Sequence, residues 1–468
     1  MAELSYTGML GRLATTVLPA VTIGVTAIVL LGPGRPRAAI GARVWGLPVA
    51  GEGAVAYRIE GVRRLLGVDD AALLRGLRLE VRDAEGVAAA WSGDTSADGI
   101  AEAVARLSRP LRGPVHLRVE SAGEVLGEGR IALEEPPTIA SPKTQQKPIT
   151  STSTTTKIPG NTKGEVSASV EVVRGVLIAP FEDAIRISIA GKTPGGAILE
   201  PSIIGGEIRP ARAKSDPDGH ATFYTKPLAH MVELSLAVTA EGGERGTWEG
   251  ILPVVPGGIW IEPLQKSDAS SLAGESPSPE IRVVSPAPRS RAYLSILSEQ
   301  GRVFGAVIPL APDSAGYSSG RVKIEIPAGA RTLKAVVAGD PFEQGAGTVA
   351  WPLLPPEGTA EIQRIEVLID GLPAAESRER ARASAARRAA AFLVGAAAVV
   401  EVLLLLLRSR ASQRALEKHL AGASENLSAA DTRNLLASAR DQPVLWTLAL
   451  SAIVALGFAL VLAFATLG

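Results

Sequence analysis

The stretch SDPDGHATFYTKPLAHMVELSLAV, residues 215–238, decides the fold class of this 468-residue chain. It opens on an Asp-Gly turn sequence and ends in Leu234–Val238, where apolar and polar residues alternate with the period of a half-buried β-strand. A similar stretch, TSADGIAEAVARLSRPLRGPVHLRV, occupies residues 95–119, and its spacing from Asp-Gly to the strand end differs by one residue. A hairpin sequence follows each copy. This repetition at domain scale predicts related β-sandwiches in tandem.

Two polar linkers divide the main body of the chain. The stretch 136–164 is rich in Ser, Thr, Pro and Lys and has no acidic residue, so we expect it to be disordered. The stretch 265–279 is a shorter version of the same composition. A short helical pattern at Val68–Leu74 predicts a helix that caps a sheet end. The third module keeps only the closing part of the repeat, which leaves its completeness open. The predicted sandwich modules are residues 42–135, 165–264 and 280–356.

The Asp-Gly strand, the Pro-containing loop and the terminal hairpin resemble those of bacterial extracytoplasmic immunoglobulin-like domains, including macroglobulin-type and carboxypeptidase-regulatory-like modules. The resemblance covers about two thirds of the chain and implies immunoglobulin-like sandwiches outside the cytoplasm. Protease-trapping members of the macroglobulin group carry a Cys-Gly-Glu-Gln thioester. The nearest sequences here, Ser298–Gly301 and Phe342–Gly345, lack the cysteine, which excludes thioester chemistry.

Three long apolar stretches flank this body, and each is close to the roughly 20 residues that cross a bilayer. The first is longer than the usual apolar region of a signal peptide, so it predicts an uncleaved anchor. A basic helical stalk, residues 374–388, precedes the second and can touch lipid headgroups. We therefore expect a mainly β protein of tandem immunoglobulin-like sandwiches plus three transmembrane α-helices. The predicted spans are residues 13–31, 389–407 and 443–467.

Basic residues give the predicted orientation in the membrane. The short loop 408–442, expected to be helical, is rich in arginine and favours the cytoplasmic side, whereas arginines after the first span and before the second oppose this assignment. We let the short loop decide, because long domains translocate largely regardless of charge. The orientation that follows is a cytoplasmic N-terminus, residues 1–12, and a large extracytoplasmic region.

Arginine outnumbers lysine 37 to 11, which is typical of GC-rich bacterial genomes. The prediction is therefore a multi-pass bacterial inner-membrane protein whose large extracytoplasmic region lies in the periplasm.

The composition excludes several kinds of chemistry. The chain has no cysteine, which removes disulfides and thiolate sites, and its four histidines show no metal-ligand spacing. We find no nucleophile elbow, phosphate loop or dinucleotide fingerprint. The acidic residues Asp216 and Asp218 could hold Ca²⁺, but the Pro-Asp-Gly sequence favours an ordinary turn. A net charge of zero gives no field for nucleic acid. We predict a protein that is not an enzyme and needs no cofactor or metal.

One ionisable residue lies inside a predicted span. Glu401 stands in the second apolar stretch, where a carboxylate costs a few kcal/mol unless it is protonated or paired. It could bond, in protonated form, to a hydroxyl of another span, or lie near the interface. It could instead pair with a partner membrane protein, or couple to ions or protons. The candidate intramembrane interaction residues are Glu401, Thr22, Thr26, Thr447 and Ser451.

These observations favour an envelope scaffold or binding subunit. Its modules would contact envelope protein or glycan, while its spans associate with the lipid bilayer and with membrane protein partners. One alternative is a subunit of a transport or ion-driven motor complex in which Glu401 takes part in coupling. Another is a receptor that signals through the 408–442 loop.

Overall fold

The computed structural model describes residues 17–35, 37–49, 53–133, 157–263, 279–324 and 330–423, with single helical positions at 430, 431, 434, 450, 453, 454, 457 and 461. The chain divides into two units. One comprises Ile40–Arg64 and Asp69–Leu372 and holds the sandwich cores; the other comprises Met1–Ala39, Leu65–Val68 and Pro373–Gly468. The expectation of a mainly β chain is confirmed.

The first module packs two antiparallel sheets on one core. Leu77, Leu79 and Val81 point inward from one sheet and meet Tyr57 and Ile59 of the other. The alternating sequence therefore folds as its period requires, because alternate side chains of a strand face opposite sides. Its strands are β1 (Ala39–Gly46), β2 (Ala54–Leu65), β3 (Val68–Ala71), β4 (Leu77–Asp83), β5 (Gly86–Gly93), β6 (Ile100–Arg106), β7 (Val115–Ser121) and β8 (Glu124–Ile131).

The helix expected at Val68–Leu74 is wrong. Residues from Val68 to Ala71 form β3, which pairs with β2 in a hairpin. Across this hairpin Arg64 Nη2 lies 2.8 Å from Asp69 Oδ2, and Arg63 Nη2 lies 3.4 Å from Asp70 Oδ2. Val68 and Leu73 are exposed, whereas Ala72 and Leu74 are buried in the core, so the apolar residues that suggested a helical face do not share one face.

The second module is also a two-sheet sandwich, with sheet orders β10-β11-β15-β13 and β14-β12-β16-β17-β9. Its core joins both sheets around Phe223 and Trp248. Its strands are β9 (Gly160–Gly164), β10 (Ser167–Val172), β11 (Asp183–Ala190), β12 (Ile198–Ile204), β13 (Gly206–Arg209), β14 (Ala213–Lys214), β15 (His220–Pro227), β16 (Val232–Thr239) and β17 (Arg245–Leu252).

Strand β9 lies inside the stretch 136–164 that we expected to be disordered. Its residues pair with Gly246–Gly250 of β17, and all five are exposed. Gly160 lies against the Trp248 ring, where a Cβ atom would come within 2.3 Å of the indole. A polar, glycine-flanked edge strand has no apolar alternation, which is why its sequence resembles a linker. Residues 134–156 and 264–278, which include most of both predicted linkers, lie outside the described residues.

The third module is a complete sandwich of two four-stranded sheets, ordered β18-β19-β23-β22 and β21-β20-β24-β25. Strand β20 is buried at seven consecutive positions, because one face lies in its own core and Tyr293 on the other face contacts Asp98 of the first module. Strand β18 precedes the second linker yet belongs to this module. The strands are β18 (Trp260–Ile261), β19 (Glu280–Ser285), β20 (Arg291–Ser298), β21 (Gly301–Pro309), β22 (Ala311–Pro312), β23 (Ser318–Lys323), β24 (Leu333–Ala338) and β25 (Val349–Leu354).

A last strand, β26 (Glu366–Asp370), returns to the first module. It pairs antiparallel with β1, with Arg43 opposite Asp370 and Val44 opposite Ile369. The second and third modules are therefore inserted between β8 and β26 of the first. Strand β26 lies beyond residue 356, the predicted end of the last module, and before the predicted stalk. Gly371, directly after β26, packs against the backbone of Leu126.

Replacing Gly371 with valine should release β26 from the first module. A Cβ atom at this position would lie 1.9 Å from the carbonyl oxygen of Leu126, and backbone cannot move as a side chain can. We expect a loss of several kcal/mol, in the range of severe overpacking. Hydrogen exchange should show faster exchange in β26 and β1. The control is Gly129→Ala, whose Cβ would meet only the Ile369 side chain, at 3.3 Å. Equal protection in both variants would contradict the predicted role of Gly371.

The helices are α1 (Leu18–Leu31) and α2 (Leu372–Ala423). Among the described residues, one helix, Leu372–Ala415, is long and apolar enough to cross a membrane, and α1, with 14 residues, is shorter than a span. Three spans were expected, and the described part of the chain contains one helix that could be a span. Most of the third stretch, 443–467, lies outside it. The stalk, the second span and the start of the loop form one helix, because no proline or paired glycine interrupts residues 374–420.

Candidate functional site

The structure describes three of the five residues expected to act inside the membrane. Glu401 lies on α2 and is 7% exposed. The Thr22 hydroxyl donates to the Leu18 carbonyl of its own helix at 2.8 Å, and the Thr26 hydroxyl is buried without a hydrogen-bond partner among the described residues. Thr447 and Ser451 lie outside the described residues. No hydrogen bond joins Glu401 to Thr22 or Thr26 in the described part of the chain.

The main concentration of buried charge joins the first and third modules. Arg58 on β2 is fully buried, and its Nε lies 2.5 Å from Glu102 Oε1 on β6. Arg58 Nη1 lies 3.1 Å from Glu343 Oε1 of the third module. Arg302 on β21 reaches back, with Nη2 2.6 Å from Glu102 Oε2. Ser295 links the set, since it accepts from Arg302 Nε at 2.8 Å and donates to Glu343. We call these five residues the ionic cluster.

The ionic cluster is electrically neutral, with two guanidinium groups and two carboxylates. Burial alone would lower the pKa of Arg58, but the charges of Glu102 and Glu343 outweigh it and raise the pKa above its usual value. The arginine therefore stays charged. Because desolvation offsets the attraction between its charges, such a cluster contributes little net stability. Replacing one member is nevertheless strongly destabilising, because the charge left behind is buried without its partner. The arrangement can fix how two modules dock, and its one hydroxyl, that of Ser295, is fully buried between Arg302 and Glu343.

Glu343 reaches the ionic cluster from a tight turn. Its backbone has φ +58°, in the left-handed region, which is uncommon for a non-glycine residue. The Asp340 carboxylate holds this turn by accepting the backbone N–H groups of Phe342, Gln344 and Gly345 at 2.8 to 3.1 Å. In the sequence, the stretch Phe342–Gly345 stands out only because it lacks the cysteine that a thioester needs. An Asp two residues before a Phe-Glu pair is a turn signal, but nothing in the sequence shows which module receives the glutamate.

The Asp-Gly turns of the repeat have different roles in the two modules. In the first, Asp98 accepts a hydrogen bond from Tyr293 Oη of the third module at 2.6 Å and pairs with Arg291. In the second, Asp216 Oδ1 accepts the backbone N–H of His220 at 2.7 Å, which closes the turn itself. Among the described residues no group of three His, Cys, Asp or Glu side chains is placed to hold a metal.

The contact made by Asp98 should weaken in acid. Burial alone would raise the pKa of Asp98, but hydrogen bonds from Ser96, Tyr293 and Arg291 outweigh it and lower the pKa from 3.8 to about 2. A depressed pKa contributes stability that is complete above the ordinary value and is lost as pH falls through the folded value. We expect hydrogen-exchange protection of β20, corrected for intrinsic exchange, to be constant from neutral pH to about 5 and to fall between about pH 4 and 2.

The variant Asp98→Asn isolates this effect from the other carboxylates. It should protect β20 less than the native chain at neutral pH, and the difference should close below about pH 2, where Asp98 is protonated in both states. A difference that is independent of pH would contradict the assignment to Asp98.

A second arginine joins the second and third modules. Arg174 is buried, with Nε 2.9 Å from Asp183 Oδ2 and Nη1 2.7 Å from the Ile261 carbonyl. Its guanidinium carbon lies 4.3 Å from the centre of the Trp351 ring. A cation over an aromatic ring at this distance is attracted by the ring quadrupole, and the attraction grows when water is excluded. Each outer module is thus docked on the third by a buried arginine.

A cavity of about 580 Å³ lies beside β24, β25 and the segment that precedes β26. Leu297, Leu354 and Pro355 give it apolar walls, and Lys334 and Glu361 lie among its polar residues. Burial lowers the pKa of Lys334, and the charge of Glu361 opposes this shift. The size suits a small ligand.

Comparisons with known proteins give only distant likenesses. No protein-family model and no curated protein matches the chain. The D0-D1 domain of intimin is 12% identical, with 43% of this chain and 91% of that one covered and a TM-score of 0.14. The Yersinia pseudotuberculosis adhesin InvE is 12% identical, with 48% of this chain and 62% of that one covered and a TM-score of 0.16. A tetra-tandem repeat from the extending region of a large adhesion protein is 12% identical, with coverage of 70% and 75% and a TM-score of 0.16. Such TM-scores define no shared arrangement, so the sandwich assignment rests on the strand pairing within this chain.

Proposed function

We propose that this protein is a non-enzymatic scaffold of the bacterial inner membrane that holds three immunoglobulin-like sandwiches, of the macroglobulin type, in fixed mutual orientation outside the cytoplasm. The observation that carries the proposal is the pair of buried arginine junctions, Arg58 and Arg174, which link both outer modules to the third. Modules joined only by linkers would move independently, as weak interdomain contacts allow. Buried charged junctions instead favour three modules held in one fixed arrangement. The helix α2, which begins two residues after β26, supports attachment to a membrane.

An exposed apolar group on the second module supports protein binding over glycan binding. Ile204, Met231 and Ile251 are each more than half exposed. Ile204 and Ile251 lie on either side of Glu233 in the strand register, and Glu233 forms no ion pair with any residue that the structure describes. Apolar side chains around a free carboxylate suit a protein segment that combines apolar and basic residues. We infer that an envelope protein occupies this face.

Site-specific photocrosslinking tests this inference. A photoreactive residue at Met231, in the full chain expressed in its membrane, should capture one envelope protein reproducibly. The matched control is position 247, on the same sheet but away from the apolar group, where we expect no product. Purification in mild detergent should recover the same partner. Recovery of the chain as a single species, with no crosslink at Met231, would contradict the scaffold role.

Glu401 is proposed to join a partner membrane subunit by hydrogen bonding. Glu401→Gln should then keep the partner, whereas Glu401→Leu should reduce its recovery about tenfold, or about 1.4 kcal/mol, within the range of polar contacts between membrane helices. Val399→Leu, on the exposed side of the same helix, is the control. If Gln and Leu abolish function equally while assembly persists, ion coupling in a transport or motor complex takes precedence. If both behave normally, neither role survives.

The proposed topology has three spans, a cytoplasmic N-terminus and an extracytoplasmic C-terminus. A reporter that is active only outside the cytoplasm, fused after Gly468, should be active. A second fusion within residues 265–279 should also be active, because that linker lies in the main body. Activity in the linker fusion alone would reduce the number of spans that follow the main body to one.

A further inference from the structure

The tip of the β2–β3 hairpin exposes leucines that the fold does not use. Leu66 is 87% exposed, Val68 is 62% exposed and Leu65 is 44% exposed. These residues stand together at a two-residue turn, next to a module whose other large apolar side chains are mostly buried in its core. Scattered exposed apolar residues are ordinary on protein surfaces, but a cluster that projects from a hairpin marks a contact surface.

The backbone of this turn makes the leucine harder to explain. Leu66 has φ +52° and Gly67 has φ +83°. Two consecutive positive φ values belong to the turn that Asn-Gly forms best, because leucine at the first position suffers a steric clash in the left-handed region. Asparagine at residue 66 would suit the turn better and would expose no apolar surface. Neither packing nor turn geometry accounts for leucine at this position.

The directions of the strands show at which end of the sheet the hairpin tip lies. β1 follows α1 in the chain, and β26 leads into α2. Because β1 and β26 are antiparallel, both apolar helices connect to the same end of this strand pair. The Arg43 guanidinium lies 3.7 Å from Glu60, and a Cβ atom on Gly46 would lie 2.8 Å from the Tyr57 ring, so residue numbers fall along β2 as they rise along β1 and the two neighbouring strands are antiparallel. The strand β2 therefore ends at the same end of the sheet at which β1 begins and β26 ends.

Chain lengths indicate how far the tip extends. Asp370 and Glu60 both lie beside Arg43, so Leu66 is six residues beyond that level and Leu372 is two residues beyond it. At about 3.3 Å per residue, the tip extends roughly 13 Å past the start of α2. Residues 372–388 of α2 add about 25 Å before the apolar stretch, of which the headgroup layer occupies about 5–7 Å. The difference of about 5–7 Å is closed by a helix tilt near 40°, at the upper end of the range for membrane spans, which shortens the rise by about 6 Å.

We propose that the hairpin tip Leu65–Val68 inserts its apolar side chains into the headgroup layer of the membrane that α2 crosses. This rests on the proposed membrane anchoring. Arg63 and Arg64 are paired with Asp70 and Asp69 across the hairpin, so the contact is apolar and needs no anionic lipid. The tip gives the first module a second point of attachment, which restrains its tilt relative to the bilayer.

Fluorescence quenching by lipid tests the proposal. The chain has no cysteine, so Leu66→Cys can carry an environment-sensitive dye in the full-length protein. In phosphatidylcholine nanodiscs, addition of lipid with a nitroxide at the top of the acyl chain should reduce emission about twofold, as expected for a group buried at the headgroup boundary. The same result is expected without and with anionic lipid.

Two further labels separate this proposal from the proposed span. Val399→Cys, on the exposed side of α2, should be quenched if α2 crosses the bilayer. Ala84→Cys, in the turn between β4 and β5, should not be quenched. Gly127 of β8 lies near Gly371, so β8 begins and β7 ends at the end of the module that carries α2. Leu77 of β4 pairs with Ser121 of β7, so β4 begins at that end and finishes at the opposite end of the module. Quenching at Val399 but not at Leu66 overturns the hairpin proposal alone, and quenching at neither overturns the membrane span.

A final variant distinguishes insertion from mere proximity. Leu66→Asn keeps the turn and removes the largest apolar side chain. With the dye moved to Leu65→Cys, this substitution should restore most of the lost emission. If quenching of the Leu65 label is unchanged by Leu66→Asn, the tip lies near the lipid without inserting, and the proposal is wrong.

Discussion

Replacing Arg58 with methionine is expected to cost about 3–5 kcal/mol of local stability at the junction of the first and third modules. The variant leaves the buried Glu343 carboxylate without its cation and leaves Glu102 with Arg302 alone, in a site where Arg58 is fully buried. Amide hydrogen exchange in β2, β6 and β20 should accelerate by the corresponding factor. Arg78→Met is the matched control, because Arg78 is exposed and its pairing with Glu80 should contribute less than 1 kcal/mol.

A second substitution tests whether the cost comes from unpaired charge. In Arg58→Met combined with Glu343→Gln, the carboxylate that lost its cation is replaced by a neutral amide, so the double variant should recover part of the loss. Side chains in one network are expected to be non-additive by 0.5–3 kcal/mol, that is, about 1–2 kcal/mol here. Strict additivity would show that Arg58 acts through packing and not through the ionic cluster.

Replacing Arg174 with methionine is expected to release the second module from the third. The substitution leaves Asp183 buried without its cation, deprives the Ile261 carbonyl of a donor and removes the cation from the Trp351 ring. We again expect a local cost of about 3–5 kcal/mol. Spin labels on cysteines introduced in the two modules should report a narrow distance distribution in the native chain and a broad one in the variant.

The control for Arg174 is Arg321→Met. Arg321 is exposed and lies 3.3 Å from Glu280 within the third module, so its loss should leave the distance distribution unchanged. A distribution that stays narrow in Arg174→Met would mean that the remaining contacts, such as the Phe181–Trp260 stacking at 5.2 Å, suffice to dock the modules.

The repeated sandwiches could be read from the sequence because each depends on local alternation. Strands such as Leu77–Asp83 and Val232–Thr239 bury one face within their own module, and a period of two records that face directly. The continuous burial of β20 had a signal as well. The run Tyr293–Ser298 does not alternate, as expected for a strand covered on both faces.

The interfaces could not be predicted in this way. Arg58 occupies a polar position of a strand, where solvent is the default surrounding, and only the carboxylate of another module makes its burial tolerable. Strand β26 finds its partner far away in the chain, so no local pattern identifies the pairing. Hydropathy identified the apolar stretches, yet it records composition and not helix length. Of the three expected spans, the described residues place one long apolar helix.

The pairing of β1 with β26 also dictates the order in which the protein can be completed on the ribosome. Arg43 and Asp370 are separated by 327 residues, so at about 5–20 residues per second the first module waits roughly 20–60 s for its last strand. During this time the edge of β1 is open, while the second and third modules can already be complete. The nascent chain must therefore keep an unpaired strand edge from joining the wrong partner, and the domain made first is finished last.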